Sequence, residues 1–198
     1  MLRTEINISG NKILDDLTLC IGSLVMLILI GPIKLDLVEE VPITLQSLLV
    51  VLFPLMFGVR VGVTFVVAYL IIGGCGAPVF VDNPSTWPES WEYFLEDNGG
   101  FLLAFPIAAL ISGVAGEMAS KIPSLNRITF ITGAVILFVS QVIILLLGIG
   151  WMDALSHTSF DFTAKITSLM PRLLVKTALG TIVFVLIGRI LNNLNSKR

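Results

Sequence analysis

The sequence predicts an all-α integral membrane protein with six transmembrane helices in one compact bundle. Three observations carry this prediction: 56% of the 198 residues are hydrophobic, only 13% are charged, and the mean hydropathy is +0.97. This composition is typical of a chain whose solvent is the lipid bilayer rather than water. We therefore expect residues 1–198 to form a single transmembrane domain.

Six apolar runs follow one another along the chain, each close to the length that crosses the hydrocarbon core. They lie at about residues 13–33, 43–57, 60–77, 100–117, 126–150 and 166–191. The second and third runs are short for a span. The first run leads too directly into further spans to be a cleaved signal peptide, so we expect the mature chain to begin at Met1.

Basic residues predict the orientation, because Lys and Arg are retained on the cytoplasmic side of a membrane. With the N-terminus inside, eight of them are cytoplasmic: Arg3, Lys12, Arg60, Lys121, Arg127, Arg189, Lys197 and Arg198. Only Lys34 and Lys165 fall in outer segments, whereas ten of the 14 carboxylates do. Both termini are therefore predicted to be cytoplasmic.

The sequence lacks the residues that metal binding, nucleotide binding, nucleic-acid binding and catalysis usually require. One histidine, His157, and two distant cysteines, Cys20 and Cys75, make neither a metal site nor a Cys-x-x-Cys motif. The sequence has no G-x-x-x-x-G-K-[ST] loop for nucleotide phosphates, no basic stripe for nucleic acid, and no Ser/His or paired-Asp arrangement within the spans. We expect a chain without metal, cofactor or enzymatic activity, whose energised role requires partners.

Polar side chains inside the apolar runs are the candidates for a binding site, since lipid cannot satisfy their hydrogen bonds. Arg172 and Lys176 lie four residues apart, hence on one helix face, and predict an anionic ligand. If Pro171 begins that helix, the positive end of its dipole adds to the effect. Alternatively, Arg172 snorkels to the outer interface and Lys176 acts alone. Gln46 and Gln141 either face the pocket or bond a neighbouring helix.

A long outer loop is predicted after the third run, because the segment Gly73-Gly74-Cys75-Gly76-Ala77-Pro78 breaks the helix. The loop covers about residues 78–98 and combines several aromatic residues with five carboxylates. This mixture suits a lid over a pocket, although an interfacial aromatic belt would have the same composition.

A series of motifs occurs in the middle of the chain. They are V-P-I-T-L-Q-S-L from Val41, F-G-x-R-x-G from Phe57, a tyrosine at Tyr69, G-x-P-V-F from Gly76, and G-G-aromatic-L-L-x-F from Gly99. This series resembles the BioY family, the biotin-binding S components of energy-coupling factor (ECF) transporters. The resemblance covers about residues 41–117 and extends weakly to the last run.

The resemblance implies a multi-pass prokaryotic cell-membrane protein that captures biotin from outside and contacts membrane lipid. It implies release inside only when the protein is coupled to a transmembrane T component and two ABC-type ATPases, which supply the nucleotide site. Members of the family dock through small residues of the first helix, and Thr18 and Gly22 have that spacing here. Internal helix packing would account for the same pair.

Together, the residues and the resemblance indicate a substrate site built from Gln46, Tyr69, Asn83, Asn98, Gly99, Gly100, Gln141, Arg172 and Lys176. The outer loop departs from the family's glycine-rich stretch, and Phe101 replaces the usual tyrosine. The last helix departs as well: the family's Pro-Gly-Asp-x-x-Lys reads Pro171-Arg172-Leu173-Leu174-Val175-Lys176 here.

This second departure removes an acceptor for a ureido N–H and adds a bidentate donor for a carboxylate. We expect Arg172 and Lys176 to anchor the acid group of biotin. Because the aspartate is missing, the ligand could instead be another small anionic vitamin or precursor. A membrane scaffold and an intramembrane enzyme are the alternatives from other classes.

Overall fold

A computed structural model describes residues 10–35, 43–80, 91–122, 129–156 and 161–195. The described residues form six α-helices, a two-stranded ribbon and one short 3₁₀ helix. In chain order these are α1 (Lys12–Ile30), β1 (Lys34–Leu35), β2 (Ile43–Thr44), α2 (Gln46–Phe57), α3 (Val59–Gly74), the 3₁₀ helix (Glu92–Leu95), α4 (Gly99–Lys121), α5 (Thr129–Leu155) and α6 (Phe162–Asn195).

Four helices, α1, α4, α5 and α6, are long and apolar enough to cross a membrane. Helices α2 and α3 are also apolar but have only 12 and 16 residues. At 1.5 Å per residue they are about 18 and 24 Å long. The helical, membrane-spanning character that the composition predicted is confirmed for the described part of the chain.

Helix α2 is the centre of the bundle. It packs against each of the other five helices, and all its residues from Gln46 to Met56 are buried. Even its polar first turn is therefore inside protein. Helix α1 is peripheral by contrast, since it contacts mainly α3 and α2 and leaves most of its apolar side chains exposed.

A short two-stranded ribbon precedes α2 in the otherwise helical fold. Strands β1 and β2 are antiparallel, with Lys34 opposite Thr44 and Leu35 opposite Ile43. Because Ile43 and Thr44 are extended, the second helix begins at Gln46 and not at residue 43. Both are β-branched, a property that favours extended backbone. The start of α2 is thereby displaced into the interior of the bundle.

A carboxylate supports the corner between α2, α3 and α4. Gly58 joins α2 to α3 with a φ of 92°, which favours glycine. The first N–H of α3, at Val59, donates to Glu117 Oε1 of α4 at 3.0 Å. The negative charge thus lies at the positive end of the α3 dipole and satisfies one of its free donors.

Helix α6 begins earlier than the sequence interpretation placed it. The Asp161 carboxylate accepts hydrogen bonds from the Ala164 N–H at 2.9 Å and from the Thr163 hydroxyl at 2.7 Å. These bonds hold the pKa of the Asp161 carboxyl below its ordinary value. Since the helix starts right after this cap, Pro171 lies inside it. The expectation that Pro171 begins the helix is wrong, and no helix dipole end reinforces Arg172.

Candidate functional site

A cavity of about 280 Å³ lies among α2, α4, α5 and α6. Its α6 lining runs from Lys165 to Lys176, and its α5 lining runs from Gln141 to Met152. Each stretch rises about 16 Å along its helix. Because the short segment joining α5 to α6 makes them antiparallel, Met152 lies towards Lys165 and Gln141 towards Lys176. The cavity is therefore elongated along the helices.

We call its two ends the loop end and the inner end. The loop end contains Lys165, Met152, Asn98 and Tyr93, next to the segments that connect the helices; the inner end contains Lys176, Gln141, Gln46 and Ser47.

Hydrogen-bond donors converge at the inner end. Lys176 Nζ donates to Ser47 Oγ at 2.8 Å, which joins α6 to the first turn of α2. Gln46 and Gln141 are each only 4% exposed, and their Nε2 atoms have no hydrogen-bond partner within the described residues. The amino end of α2 also lies here, and no side chain in the described segments caps it. This end can therefore bind a ligand acceptor such as a carbonyl oxygen.

Positive charge dominates the wall formed by α6. Lys165, Arg172 and Lys176 all line the cavity, and the buried Arg172 Nε has no hydrogen-bond partner in the described part of the chain. No Asp or Glu is among the described lining residues. A buried donor without a partner costs about 1–3 kcal/mol. The cavity is therefore complementary to an anion that would satisfy these groups.

Apolar side chains line the cavity between its two polar ends. Leu169 and Leu173 of α6 face this part from one wall, and Phe101, Phe105 and Leu145 come from α4 and α5. Leu173 is 4% exposed and packs with Leu145. The arrangement suits a ligand with polar groups at both ends of an apolar body.

Aromatic residues close the loop end. The ring of Phe80 packs against Tyr69, Tyr93 and Phe94, with ring centroids 5.4 to 5.5 Å apart. The indole N–H of Trp151 donates to the carbonyl of Glu96 at 3.1 Å, which ties α5 to the segment before α4. Since Tyr93 also lines the cavity, this cluster forms part of its wall. The described parts of the predicted loop are thus packed beside the cavity.

The structure brings five of the predicted substrate residues together around the cavity: Gln46, Asn98, Gln141, Arg172 and Lys176. They come from three helices, α2, α5 and α6, and from the residue preceding α4. Asn98 makes no side-chain cap to α4, so its amide is not used at that helix end.

Three other predicted substrate residues that the structure describes, Tyr69, Gly99 and Gly100, do not line the cavity. Tyr69 is fully buried, its hydroxyl donates to the Val79 carbonyl at 2.6 Å, and it adjoins the Gln46 side chain. A Cβ on Gly99 would overlap the backbone of Phe94, and one on Gly100 would overlap the Trp151 side chain. Close packing therefore accounts for both glycines. Asn83 lies outside the described residues.

The pair of small residues on α1 is exposed. A Cβ on Gly22 would meet no atom of the described residues within 4 Å, and the Thr18 hydroxyl donates to the carbonyl one turn before it, at Leu14. Internal helix packing therefore does not explain the pair.

The sequence interpretation missed Lys165 and Ser47. Lys165 was placed in an outer loop, yet it belongs to the first turn of α6 and faces the cavity. The signal was present: residues 165, 169, 172, 173 and 176 have the spacing of one helix face. Asp161, read as an N-cap, would have extended that face to Lys165.

The BioY family is the family whose sequence model matches this chain, over residues 4–196. A Pyrococcus horikoshii protein described as "Probable biotin transporter BioY" is 28% identical over 149 residues, which cover 74% of this chain and 80% of that protein. The fold is similar to that of a crystal structure of "the S-component for biotin from an ECF-type ABC transporter". That similarity has a TM-score of 0.64 at 19% sequence identity and covers 92% of this chain and 95% of the other.

Proposed function

Because the chain belongs to the BioY family, we propose that it is the membrane-embedded S component that binds biotin for uptake by an ECF-type transporter. The observation that carries the proposal is the cavity, which combines three cations, unpartnered buried donors and an apolar middle in one elongated space. Biotin has an acid group joined by an aliphatic chain to a polar ureido ring. A cavity with polar ends and apolar side chains between them matches this chemistry.

Arg172 is the central anchor of the proposed biotin carboxylate. Its Nε is buried without a partner, and it lies between Lys165 and Lys176 on one face of α6. A guanidinium binds a carboxylate in a bidentate fashion, and such charge-assisted bonds are about twice as strong as neutral ones. The side-chain amides of Gln46 and Gln141 offer both donors and acceptors to the ureido ring, and the amide of Asn98 offers them at the loop end.

The remaining candidate residues have more indirect roles in the proposal. Tyr69 positions Gln46 and the start of the loop, while Gly99 and Gly100 let the segment before α4 pack closely against α5. Asn83 is retained as a ligand contact on the basis of the sequence alone.

In the proposed membrane arrangement all six helices cross the bilayer and both termini are cytoplasmic. The excess of basic residues in the cytoplasmic segments supports this orientation. The cavity then opens towards the outside, and the loop of residues 78–98 is its lid. The chain is a multi-pass cell-membrane protein in contact with lipid; biotin is its cargo, and it carries no cofactor of its own.

Release of biotin into the cell is proposed to require a transmembrane T component and two ABC-type ATPases. Helix α1 is the proposed docking surface, since Thr18 and Gly22 are exposed there among apolar side chains such as Leu14 and Leu17. Small residues allow a partner helix to approach closely.

A binding measurement tests the proposal. The purified chain in detergent or nanodiscs should bind radiolabelled biotin saturably, and desthiobiotin, lipoate and biotin amide should compete with different strengths. Saturable binding of another small acid without binding of biotin would favour the second candidate function, which Leu173 at the family's aspartate position supports. Binding of none of these ligands would overturn the proposed function.

A further inference from the structure

Lys165 extends the cation row of α6 to the loop end of the cavity. It lies seven residues before Arg172 and eleven before Lys176, a spacing that puts all three on one helix face. All three line the cavity, and Lys165 is half-buried there. It is the one cation among the described residues at the loop end. Each of the flanking lysines could therefore share the carboxylate with Arg172.

The inner lysine has other neighbours already. Lys176 Nζ donates to Ser47 Oγ at 2.8 Å. It shares the inner end with Gln46 and Gln141, each with an unpartnered Nε2. Side-chain amides both donate and accept, as a cyclic urea does. The free Nε2 donors at the inner end can bind the ureido carbonyl oxygen, and the amide oxygens can accept from the ring N–H groups.

Apolar residues separate this inner end from the loop end. Leu169 and Leu173 lie between the levels of Lys165 and Lys176 on the cavity wall, with Phe101 opposite on α4. An aliphatic chain fits along Leu173 and Leu169, and the acid at its end then lies between the levels of Arg172 and Lys165. The reverse orientation would pair the acid with Lys176 and leave Lys165 without an anion.

We propose that Lys165, together with Arg172, recognises the carboxylate at the loop end, and that the ureido ring occupies the inner end. This inference rests on the proposed function and revises the expectation that Arg172 and Lys176 share the acid. It makes Lys165 a specificity residue: the protein selects free acids over amides and esters of the same ring system.

The test compares biotin with biotin amide, whose terminal group is neutral. Full-length wild type, Lys165→Gln, Lys165→Arg and Lys121→Gln are purified in nanodiscs, and the dissociation constant of each ligand is measured by competition with radiolabelled biotin. Lys121 is an exposed lysine at the last turn of α4 and serves as the matched control. Retained binding of the amide shows that a variant is folded.

The acid-over-amide preference should fall about tenfold in Lys165→Gln, because the charged partner is lost for the acid alone. Affinity for the amide should change less than about twofold, Lys165→Arg should keep the preference, and Lys121→Gln should match wild type. An unchanged preference in Lys165→Gln, or equal losses for both ligands, would overturn the proposal. Absence of biotin binding to wild type would instead overturn the proposed function.

Lys176→Gln provides an independent arm of the same experiment. If the ring occupies the inner end, this variant weakens biotin and biotin amide by similar factors. A loss confined to biotin would place the acid beside Lys176 and refute the proposed orientation.

Discussion

Replacement of Lys176 by methionine should stabilise the ligand-free protein while weakening its binding of biotin. Methionine has a similar unbranched shape but carries no charge, so it removes the ammonium and keeps much of the packing. In the ligand-free protein Lys176 has a neutral partner, Ser47, and a like-charged neighbour one turn away, Arg172.

The magnitude follows from these contacts. Two like charges about 6 Å apart repel by about 3 kcal/mol at an effective dielectric constant of 20, and partial exposure to cavity water reduces this to about 1 kcal/mol. Placing an ammonium within a membrane span costs a further ~2.5–3.5 kcal/mol. The hydrogen bond of Lys176 to Ser47 returns about 1.5–3 kcal/mol. Removing the charge should therefore stabilise the protein by about 1–2 kcal/mol.

Thermal unfolding in detergent, followed by tryptophan fluorescence, measures this change. A stabilisation of that size corresponds to a Tm increase of about 2–8 °C for a chain of this length. Biotin at a hundred times its Kd should stabilise wild type by about 2.7 kcal/mol, and a tenfold weaker Kd removes about half of that. The Tm increase caused by biotin should therefore be smaller in Lys176→Met.

Two further variants make the outcome decisive. Lys121→Met removes an exposed lysine and should leave the Tm without biotin and the Tm with biotin close to those of wild type. Ser47→Ala removes the acceptor of Lys176 and should lower the Tm of the ligand-free protein, with little effect when combined with Lys176→Met. A lower Tm for ligand-free Lys176→Met, or an undiminished shift with biotin, would refute the reasoning.

Three other predictions concern the surroundings of the site. Tyr69→Phe should lower the free energy of unfolding by about 1–2 kcal/mol, because the buried Val79 carbonyl loses the hydroxyl that donates to it. Denaturant unfolding followed by circular dichroism measures this change, and an unchanged stability would contradict the structural role of Tyr69. Glu117→Gln should lower the free energy of unfolding by about 0.5–1 kcal/mol, because it removes the negative charge at the start of α3. The neighbouring substitution Ser120→Ala should not cause this loss in the same measurement. Gly148→Ala should weaken biotin binding at least several-fold, since the new methyl group displaces the Phe101 ring from the cavity wall. Gly150→Ala, whose methyl group would meet no described atom within 4 Å, is its matched control, and equal affinities of the two variants would contradict the packing argument.

Much of the candidate site was predictable because a polar residue within an apolar run is conspicuous. Gln46, Gln141, Arg172 and Lys176 were found in this way, and all of them line the cavity. Lys165 was missed because it precedes the last apolar run, where a lysine resembles one in a polar loop unless Asp161 is read as the cap of a longer helix. Its position depends on the Asp161 cap, which starts α6 before the apolar residues begin.

Other features could not be derived from local sequence at all. Tyr69 resembles a ligand contact in the sequence, yet its hydroxyl is used by a loop carbonyl that only the fold brings to it. Glu117 reads as an ordinary carboxylate near a helix end, but it caps α3, 58 residues away along the chain. Gly99 and Gly100 look suited to backbone contacts with a ligand, whereas Phe94 and Trp151 occupy the space beside them.

The sequence by itself determined the solvent of this protein, the approximate helices and the sign of charge in its site, since hydropathy, helical spacing and the intramembrane cations are local properties. Only the tertiary structure decided which of these groups share a cavity and at which end each lies. The reason is physical: the rotation of each helix and its axial offset are set by packing against its neighbours. A shift of one residue turns a helical side chain by about 100°, enough to move it from the cavity to lipid.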